Sequence, residues 1–418
     1  MNLNREILNI AQEAQRASRF LAGVSSEIKN KVLFDMSKAL LEKKDLILKA
    51  NKKDISAAKK KGITSAFVDR LRLDERRIKE MSDSLLELMR LSDPIGEVIK
   101  AWRRPNGLWI HKVRVPLGVV AIIYESRPNV TSDCIGLCFK SGNSVILRGG
   151  SESLNSNLAI HQVLKEVFKE NALPPGIATL IDTNDRRAVD ILLRLDKFID
   201  VVIPRGGESL IHKVVSSSRI PVIKHYKGIC HIYVDEWADL NMAERICFNA
   251  KVQRPGVCNA MESMLVHKDI AVRFLPGMIK KFISAGVEIR GCSLTKNIVP
   301  QVKIATEKDY HTEYLDLILS VRVVEDLKEA IEHINFYGSH HSDAIVTDNY
   351  DNALEFLRGV DSACVYVNAS TRFTDGYQFG LGSEIGISTD KLHARGPMAL
   401  EELTTYKYMV FGSGQIRE

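Results

Sequence analysis

Apolar residues recur every three to four positions through the first ninety residues: Ile7, Leu8, Ala11 and Ala14, then Val32, Leu33, Met36, Leu40 and Leu41, with charge between them. That is the period of amphipathic helices. Lys59-Lys60-Lys61 runs into Gly62, the pattern of a basic helix end and its stop signal. Glu97–Arg103 and Leu108–Val115 flank Pro105-Asn106-Gly107, which predicts a hairpin carrying Trp102 and Trp109. From Pro116 the pattern changes. Continuous apolar runs at Val119–Tyr124, Ser144–Leu147, Ala178–Ile181 and Phe198–Ile203 alternate with helical stretches such as Leu154–Phe168 and Arg187–Leu195. Strands apolar on both faces and separated by helices predict a parallel sheet covered on both sides. A second set follows: strand His231–Val234, helix Leu240–Ala250, strand Ser263–Val266, helix Val272–Ala285, and more as far as Cys364–Val367. With no internal repeat or low-complexity linker, this predicts two doubly wound α/β domains plus a small β element.

Composition narrows the class. The 418 residues are 45% hydrophobic and 26% charged, as in ordinary globular proteins. A net charge of +6 suits an anionic ligand, but 58 cations face 52 anions, without the one-sided clustering of a nucleic-acid binder. No stretch approaches the roughly 18 apolar residues that span a bilayer. The start, Met1-Asn2-Leu3-Asn4-Arg5-Glu6, lacks the apolar core of a secretory signal. Seven cysteines without a CxxC pair indicate neither a disulfide framework nor a zinc knuckle. The expected location is the reducing cytoplasm, with no nucleic-acid and no membrane partner.

Three segments carry candidate chemistry. The run Phe198–Ile203 ends in Pro204-Arg205-Gly206-Gly207 before the helical Glu208–Val215, placing bare N–H groups at a helix start, where phosphate binds. Many such turns hold Gly-Gly for conformational reasons alone, so both readings stand. Gly380-Leu381-Gly382-Ser383-Glu384-Ile385-Gly386 is one residue too long for a dinucleotide fingerprint and reads as a loop. Cys258 follows the helix breaker Pro255-Gly256, with Arg254 close by. A thiol in such a loop is accessible and can ionise, as a nucleophile must. Cys134 and Cys138, spaced i, i+4, and Cys364 in an apolar strand, read as core. The histidines, His340-His341 before Asp343 included, form no helix-spaced ligand set, and no metal is expected.

Longer motifs carry a resemblance. Pro116-Leu117-Gly118-Val119-Val120, Gly142–Arg148, Leu173-Pro174-Pro175-Gly176 and the Cys258 loop occur in the order found in the aldehyde dehydrogenase superfamily. More narrowly, Glu125-Ser126-Arg127-Pro128-Asn129, Pro255–Ala260, Gly382–Thr389 and His393-Ala394-Arg395-Gly396-Pro397 resemble the γ-glutamyl phosphate reductase family over essentially the whole chain. The resemblance implies an aldehyde-dehydrogenase-like fold: a cofactor domain at 1–96 and 117–225, a catalytic domain at 226–396, and an oligomerisation element at 97–116 and 397–418. It implies NADPH (NADP+ in reverse) held by Arg148 and Ser151 on the adenosine side and by Gly206 and Gly207 at the phosphates. Arg148 stands where oxidising members carry lysine, and Ser151 where they carry an acid. Both changes suit a 2′-phosphate. Oxidising members also carry a water-activating glutamate, whereas Lys224-His225-Tyr226-Lys227-Gly228 has no carboxylate.

The implied reaction is the second step of proline biosynthesis from glutamate. Cys258 attacks L-glutamyl 5-phosphate, the Cys258 N–H and the Asn129 amide steady the oxyanion, and hydride transfer yields L-glutamate 5-semialdehyde. His393 and Arg395 are implied for the substrate's anionic groups. A free-standing reductase is expected, as a homodimer or homotetramer, with glutamate 5-kinase as a partner that hands over the labile intermediate. The alternatives are an acid-forming aldehyde dehydrogenase, a nucleic-acid module built on the lysine-rich helices, and an inactive homologue.

Overall fold

A computed structural model of the chain describes residues 2–63, 65–224 and 226–417; His225 of the Lys224–Gly228 stretch lies outside them. The early period becomes helices Leu3–Leu21, Ser26–Glu42, Lys44–Lys60, Ser65–Leu71 and Glu75–Arg90. Side chains of Asn2, Ser25 and Asp74 cap three of them by accepting from backbone N–H groups of Asn4, Ile28 and Arg77. The lysine-rich helix ends as its sequence implies: Gly62 takes φ +68°, its N–H donates to the Lys59 carbonyl, and the Ile63 N–H reaches back to Ala58.

The described residues form two compact units. The first runs to Lys224 and includes Gly380–Gly386 and the chain from Met398 on; the second comprises the residues up to Phe379 and Ile387–Pro397. The expected catalytic span 226–396 is corrected here. Residues 380–386 pack in the first unit, because Gly382 lies against Leu88 and Leu91 and Gly386 against Arg205, while Ile385 and Gly386 pair with Met398.

In the first unit four parallel strands lie in the order Ala178–Leu180, Ser144–Gly149, Val119–Tyr124, Val201–Arg205. Val119, Ala121 and Ile123 meet Ile7, Ala11 and Ala14 of the first helix in one core, with Leu192 and Val214. Behind the sheet, the Tyr124 hydroxyl bonds Thr131 of helix Asn129–Lys140 at 2.8 Å. The last strand begins three residues later than the apolar run and continues through Pro204. Proline is tolerated there because Pro204 pairs only with Ile123, at the sheet margin.

The hairpin forms as strands Val98–Arg103 and Trp109–Pro116, with Thr404–Phe411 as third strand beside Trp109–Pro116. Its turn is a three-residue loop: Gly107 N–H donates to the Arg104 carbonyl, Arg104 N–H to Leu108, and Gly107 takes φ +90°. Trp102 packs edge-on against Tyr408 at 6.2 Å, while Trp109, Tyr406, Tyr408, Val410 and Phe411 stay exposed.

The second unit holds, among the described residues, a seven-stranded parallel sheet in the order Lys303–Ile304, Glu288–Gly291, Ile318–Val324, Met261–His267, Cys230–Val234, Ser342–Val346, Cys364–Val367. Helices Leu240–Val252 and Lys268–Ser284 supply Ala243, Cys247, Phe274, Met278 and Phe282 to its largest core. Among the described residues, no helix is long and apolar enough to cross a membrane.

Candidate active site

In the first unit the chain steps from Val119–Tyr124 outward to Ala178–Leu180, then crosses to the opposite side for Val201–Arg205. At such a switch point the loops leaving the two strands on either side of it part at their carboxyl ends and open a crevice. Glu125, Ser126 and Asn129 leave one strand, Gly206 and Gly207 the other, and Arg148 ends the strand next to them. The register aligns Ile123 with Arg148 and Tyr124 with both Gly149 and Arg205. The cofactor candidates Arg148, Ser151, Gly206 and Gly207 therefore share one sheet edge.

A residue outside the candidate set fills the expected phosphate position. Glu125 Oε2 accepts from the Gly207 N–H at 2.9 Å, at the start of helix Glu208–Ser217. A carboxylate there is favoured by the positive end of the helix. Glycine at 206 is what lets it approach, since a Cβ would stand 2.4 Å from that oxygen. Glu152 is likewise engaged: its Oε1 accepts from the Ser126 N–H at 3.0 Å and the Ser126 hydroxyl at 2.9 Å, holding Ser126 at φ +49°. Ser151 is exposed and reaches Glu152 Oε2 at 3.4 Å. Arg148 donates through Nη1 to the Gly149 carbonyl at 2.9 Å, but its buried Nε has no partner among the described residues. Burial lowers the Arg148 pKa; Glu152 opposes this, Arg186 adds to it, and Glu125 opposes it.

Asn129 opens its helix and donates to Asp133 Oδ2 at 3.0 Å. Burial pushes Asp133 up to about 6, against the pull of Asn129, Ser84 and Arg205. An acid whose folded pKa is raised gives its stabilisation in full below the unfolded value near 3.8 and loses it as pH rises through about 6. Asp133→Asn is therefore expected to leave stability unchanged at pH 4 and to raise it above pH 7. The gain should be on the order of 1–2 kcal/mol, because the side chain keeps some solvent. Urea unfolding across that range checks it; an equal effect at every pH contradicts it.

In the second unit Cys258 lies on the loop between helix Leu240–Val252 and strand Met261–His267, at the amino edge of the sheet. It is half-buried, whereas Cys134, Cys138, Cys230, Cys247 and Cys364 are buried. Burial holds the thiols of Cys134, Cys138, Cys230 and Cys247 well above the usual range. The Cys258 backbone is fixed from two sides. The Cys230 thiol donates to its carbonyl at 3.2 Å, and Gly228 lies so close that a Cβ would stand 1.9 Å from that oxygen. Gly228 also brings in a carboxylate that its own segment lacks: Glu313 accepts from the Gly228 N–H at 2.9 Å. Beyond Cys258, Asn259 binds the carbonyl of Thr374 at 2.9 Å, and Thr371 donates to the Asn259 carbonyl at 2.8 Å. Arg372 between them donates to Asn259 Oδ1, and to Gln253 Oε1 at 2.9 Å.

The remaining candidates fall elsewhere. Arg395 donates to Asp361 Oδ1 at 2.8 Å and to its carbonyl at 3.1 Å, leaving a buried Nε without a partner among the described residues. His393 adopts φ +76° in the same segment. Asn129 belongs to the first unit; Cys258, His393 and Arg395 belong to the second. Glu236, His267 and Asp269 bring ligand atoms within 4.8 Å of one another, but the two carboxylates are exposed.

The aldehyde dehydrogenase family pattern matches residues 4–291. A γ-glutamyl phosphate reductase of Thermodesulfovibrio yellowstonii is 57% identical over 418 residues, the whole of both chains. One from Caldanaerobacter subterraneus is 58% identical over 408 residues, 98% of this chain and 99% of that one. The crystal structure of γ-glutamyl phosphate reductase from Thermotoga maritima superposes with a TM-score of 0.96 at 48% identity, covering 99% of this chain and 100% of that one.

Proposed function

This chain is an oxidoreductase of the aldehyde dehydrogenase family, in its γ-glutamyl phosphate reductase branch, and from that premise we propose that it reduces L-glutamyl 5-phosphate with NADPH through a thioester on Cys258. The observation that carries the reading is the half-buried Cys258 thiol on a loop whose backbone is pinned by Gly228 and Cys230. The Cys258 thiolate attacks the γ-carbonyl carbon, and its own N–H with the Asn129 amide is proposed for the oxyanion. Phosphate departs and leaves the acyl group on sulfur. NADPH supplies the hydride when bound. The resulting thiohemiacetal on Cys258 then collapses, freeing L-glutamate 5-semialdehyde and the thiolate. The Lys224–Gly228 segment has no carboxylate of its own, which fits a thioester that is reduced rather than hydrolysed, and Glu313 accepts from the Gly228 N–H. His393 and Arg395 are proposed on their motif for the substrate's anionic groups. Asp361 pairs with both Arg395 and Lys391, and the contribution proposed for Arg395 is a hydrogen bond from Nε.

The first unit's residues fit the nucleotide at one end. The orphaned Nε of Arg148, with Arg186 near it, suits a 2′-phosphate, and Ser151 adds a hydroxyl. At the Gly206-Gly207 end, Glu125 must withdraw before a phosphate takes the Gly207 N–H. The reverse reaction tests the function: NADPH formation from L-glutamate 5-semialdehyde and NADP+ must require phosphate or arsenate. Formation of acid without phosphate would instead identify an aldehyde-oxidising enzyme. Arg148→Glu is expected to shift the kcat/KM ratio for NADPH over NADH by roughly 10–100-fold toward NADH, through loss of a cation and added repulsion. An unchanged ratio would place 2′-phosphate recognition on another residue.

The proposed compartment is the cytoplasm, where Cys258 stays reduced. The exposed Trp109, Tyr406, Tyr408 and Phe411 of the three-stranded sheet support a homodimer or homotetramer, since such a patch needs apolar cover. Deleting residues 101–110 should give monomers of lower stability by sedimentation and melting. A fully active wild-type monomer at micromolar concentration contradicts this. Direct transfer of the labile acyl phosphate makes glutamate 5-kinase the proposed partner.

A further inference from the structure

Two arginines border the Cys258 loop, and no ion pair of either exists among the described residues. Arg254 is exposed on the loop itself. Arg372 comes from the turn after strand Cys364–Val367, and it is held by Gln253 Oε1 through Nε and by Asn259 Oδ1 through Nη1. Both acceptors are neutral amides, which fix the guanidinium plane without cancelling its charge. Nη2 makes no hydrogen bond among the described residues. The segment is rigid at this point, because Thr371 and Thr374 close on the Asn259 backbone carbonyl and side chain. Burial lowers the Arg372 pKa, Arg254 adds to this, and Cys258 and Asp375 oppose it, which sets the guanidinium within electrostatic reach of the nucleophile. A partly desolvated cation that hydrogen-bonds only neutral amides, with Asp375 near it but not ion-paired to it, favours an incoming anion.

We propose that Arg372, assisted by Arg254, binds the phosphoryl group of the acyl phosphate and holds it as Cys258 displaces it, an inference that rests on the reaction proposed above. In that substrate the phosphoryl oxygen is bonded to the carbon that sulfur attacks, whereas the α-carboxylate lies at the far end of the chain. A guanidinium tied to the residue after Cys258 is placed for the near group. Its fork matches two phosphoryl oxygens, and the charge on the leaving group grows as the bond breaks. The step balances. The thiol proton is lost, sulfur donates an electron pair to the carbonyl carbon, and the C–O pair leaves with phosphate, which takes up one proton. Cys–SH and the acyl phosphate become the thioester and hydrogen phosphate, with no change of oxidation state. Arg395 is held in an ion pair with Asp361, a carboxylate it shares with Lys391, whereas Arg372 has no ion pair among the described residues.

The full-length wild type, Arg372→Gln and Arg372→Lys separate the outcomes. In the reverse reaction, Arg372→Gln should raise KM for inorganic phosphate at least tenfold with KM for the semialdehyde within about twofold, and Arg372→Lys should recover part of that loss. Without nucleotide, inorganic phosphate should slow alkylation of Cys258 by iodoacetamide in the wild type and not in Arg372→Gln. An unchanged KM for phosphate overturns the assignment, as does a rise confined to the semialdehyde, which would put the α-carboxylate on Arg372. Equal losses for both substrates with a lowered unfolding midpoint also overturn it, by making the residue structural. A wild type that needs no phosphate defeats the reaction itself, and the alkylation comparison then decides Arg372 alone.

Discussion

Cys258→Ser is expected to lower reductase turnover by more than roughly a thousandfold while the protein stays folded. A serine hydroxyl has no anionic population near neutral pH and is a poor leaving group in the collapse that frees the aldehyde. The change is nearly isosteric at a half-buried position, so the loss cannot be assigned to a cavity. Cys292 supplies the control, because it is the other half-buried cysteine. Its sulfur accepts from the N–H groups of Thr295 and Val323 at 3.5 and 3.4 Å, which gives it a structural post. Cys292→Ser should keep most activity. Single-turnover assays with both variants decide the matter: substantial turnover in Cys258→Ser, or a dead Cys292→Ser, would move the nucleophile elsewhere.

The parallel strands were legible because both faces of their sheets are buried, which leaves uninterrupted runs such as Val119–Tyr124 and Cys230–Val234. The hairpin was legible because Pro105-Asn106-Gly107 is local chemistry, and the glycine meets a positive φ that its neighbours would resist. The aldehyde dehydrogenase fold itself came from motifs rather than period. What stayed hidden are contacts between loops far apart in sequence. Glu125 reaches Gly207 across 82 residues, Glu313 reaches Gly228 across 85, and Arg372 reaches Asn259 across 113. Such polar pairs leave no periodic trace, and each partner alone reads as an ordinary surface residue. The glycines at 206 and 228 were the available signal, since a missing Cβ marks a close approach without naming what approaches. For the same reason Gly380–Gly386 read only as a loop within the expected catalytic span, although it packs in the first unit.

Lys251→Met is expected to destabilise the second unit by about 3–5 kcal/mol at pH 8, the cost typical of leaving one member of a buried pair without its partner. Lys251 sits in the last turn of helix Leu240–Val252 and Glu262 is second in strand Met261–His267, so this pair joins the two ends of the loop that carries Cys258. The two groups meet at 2.6 Å with both side chains fully buried, and Glu262 Oε1 also accepts from the Leu315 N–H at 3.1 Å. Burial pushes Glu262 up to about 7 against the pull of Lys251, and burial pushes Lys251 down. With the folded Glu262 value above the unfolded value near 4.5, its contribution is complete below that lower value and is lost as pH rises through about 7. Removing the lysine takes away the attraction that offsets this loss. The variant should therefore suffer more at pH 8 than at pH 6, where Glu262 can keep a proton. Lys251→Met/Glu262→Gln should cost clearly less than the sum of the single changes, because neither variant group then needs a counter-ion. Urea unfolding at both pH values, with Cys258 alkylation rates as a local probe, measures this. A single-variant cost below 1 kcal/mol that is the same at pH 6 and 8 would show that the pair does not anchor the loop.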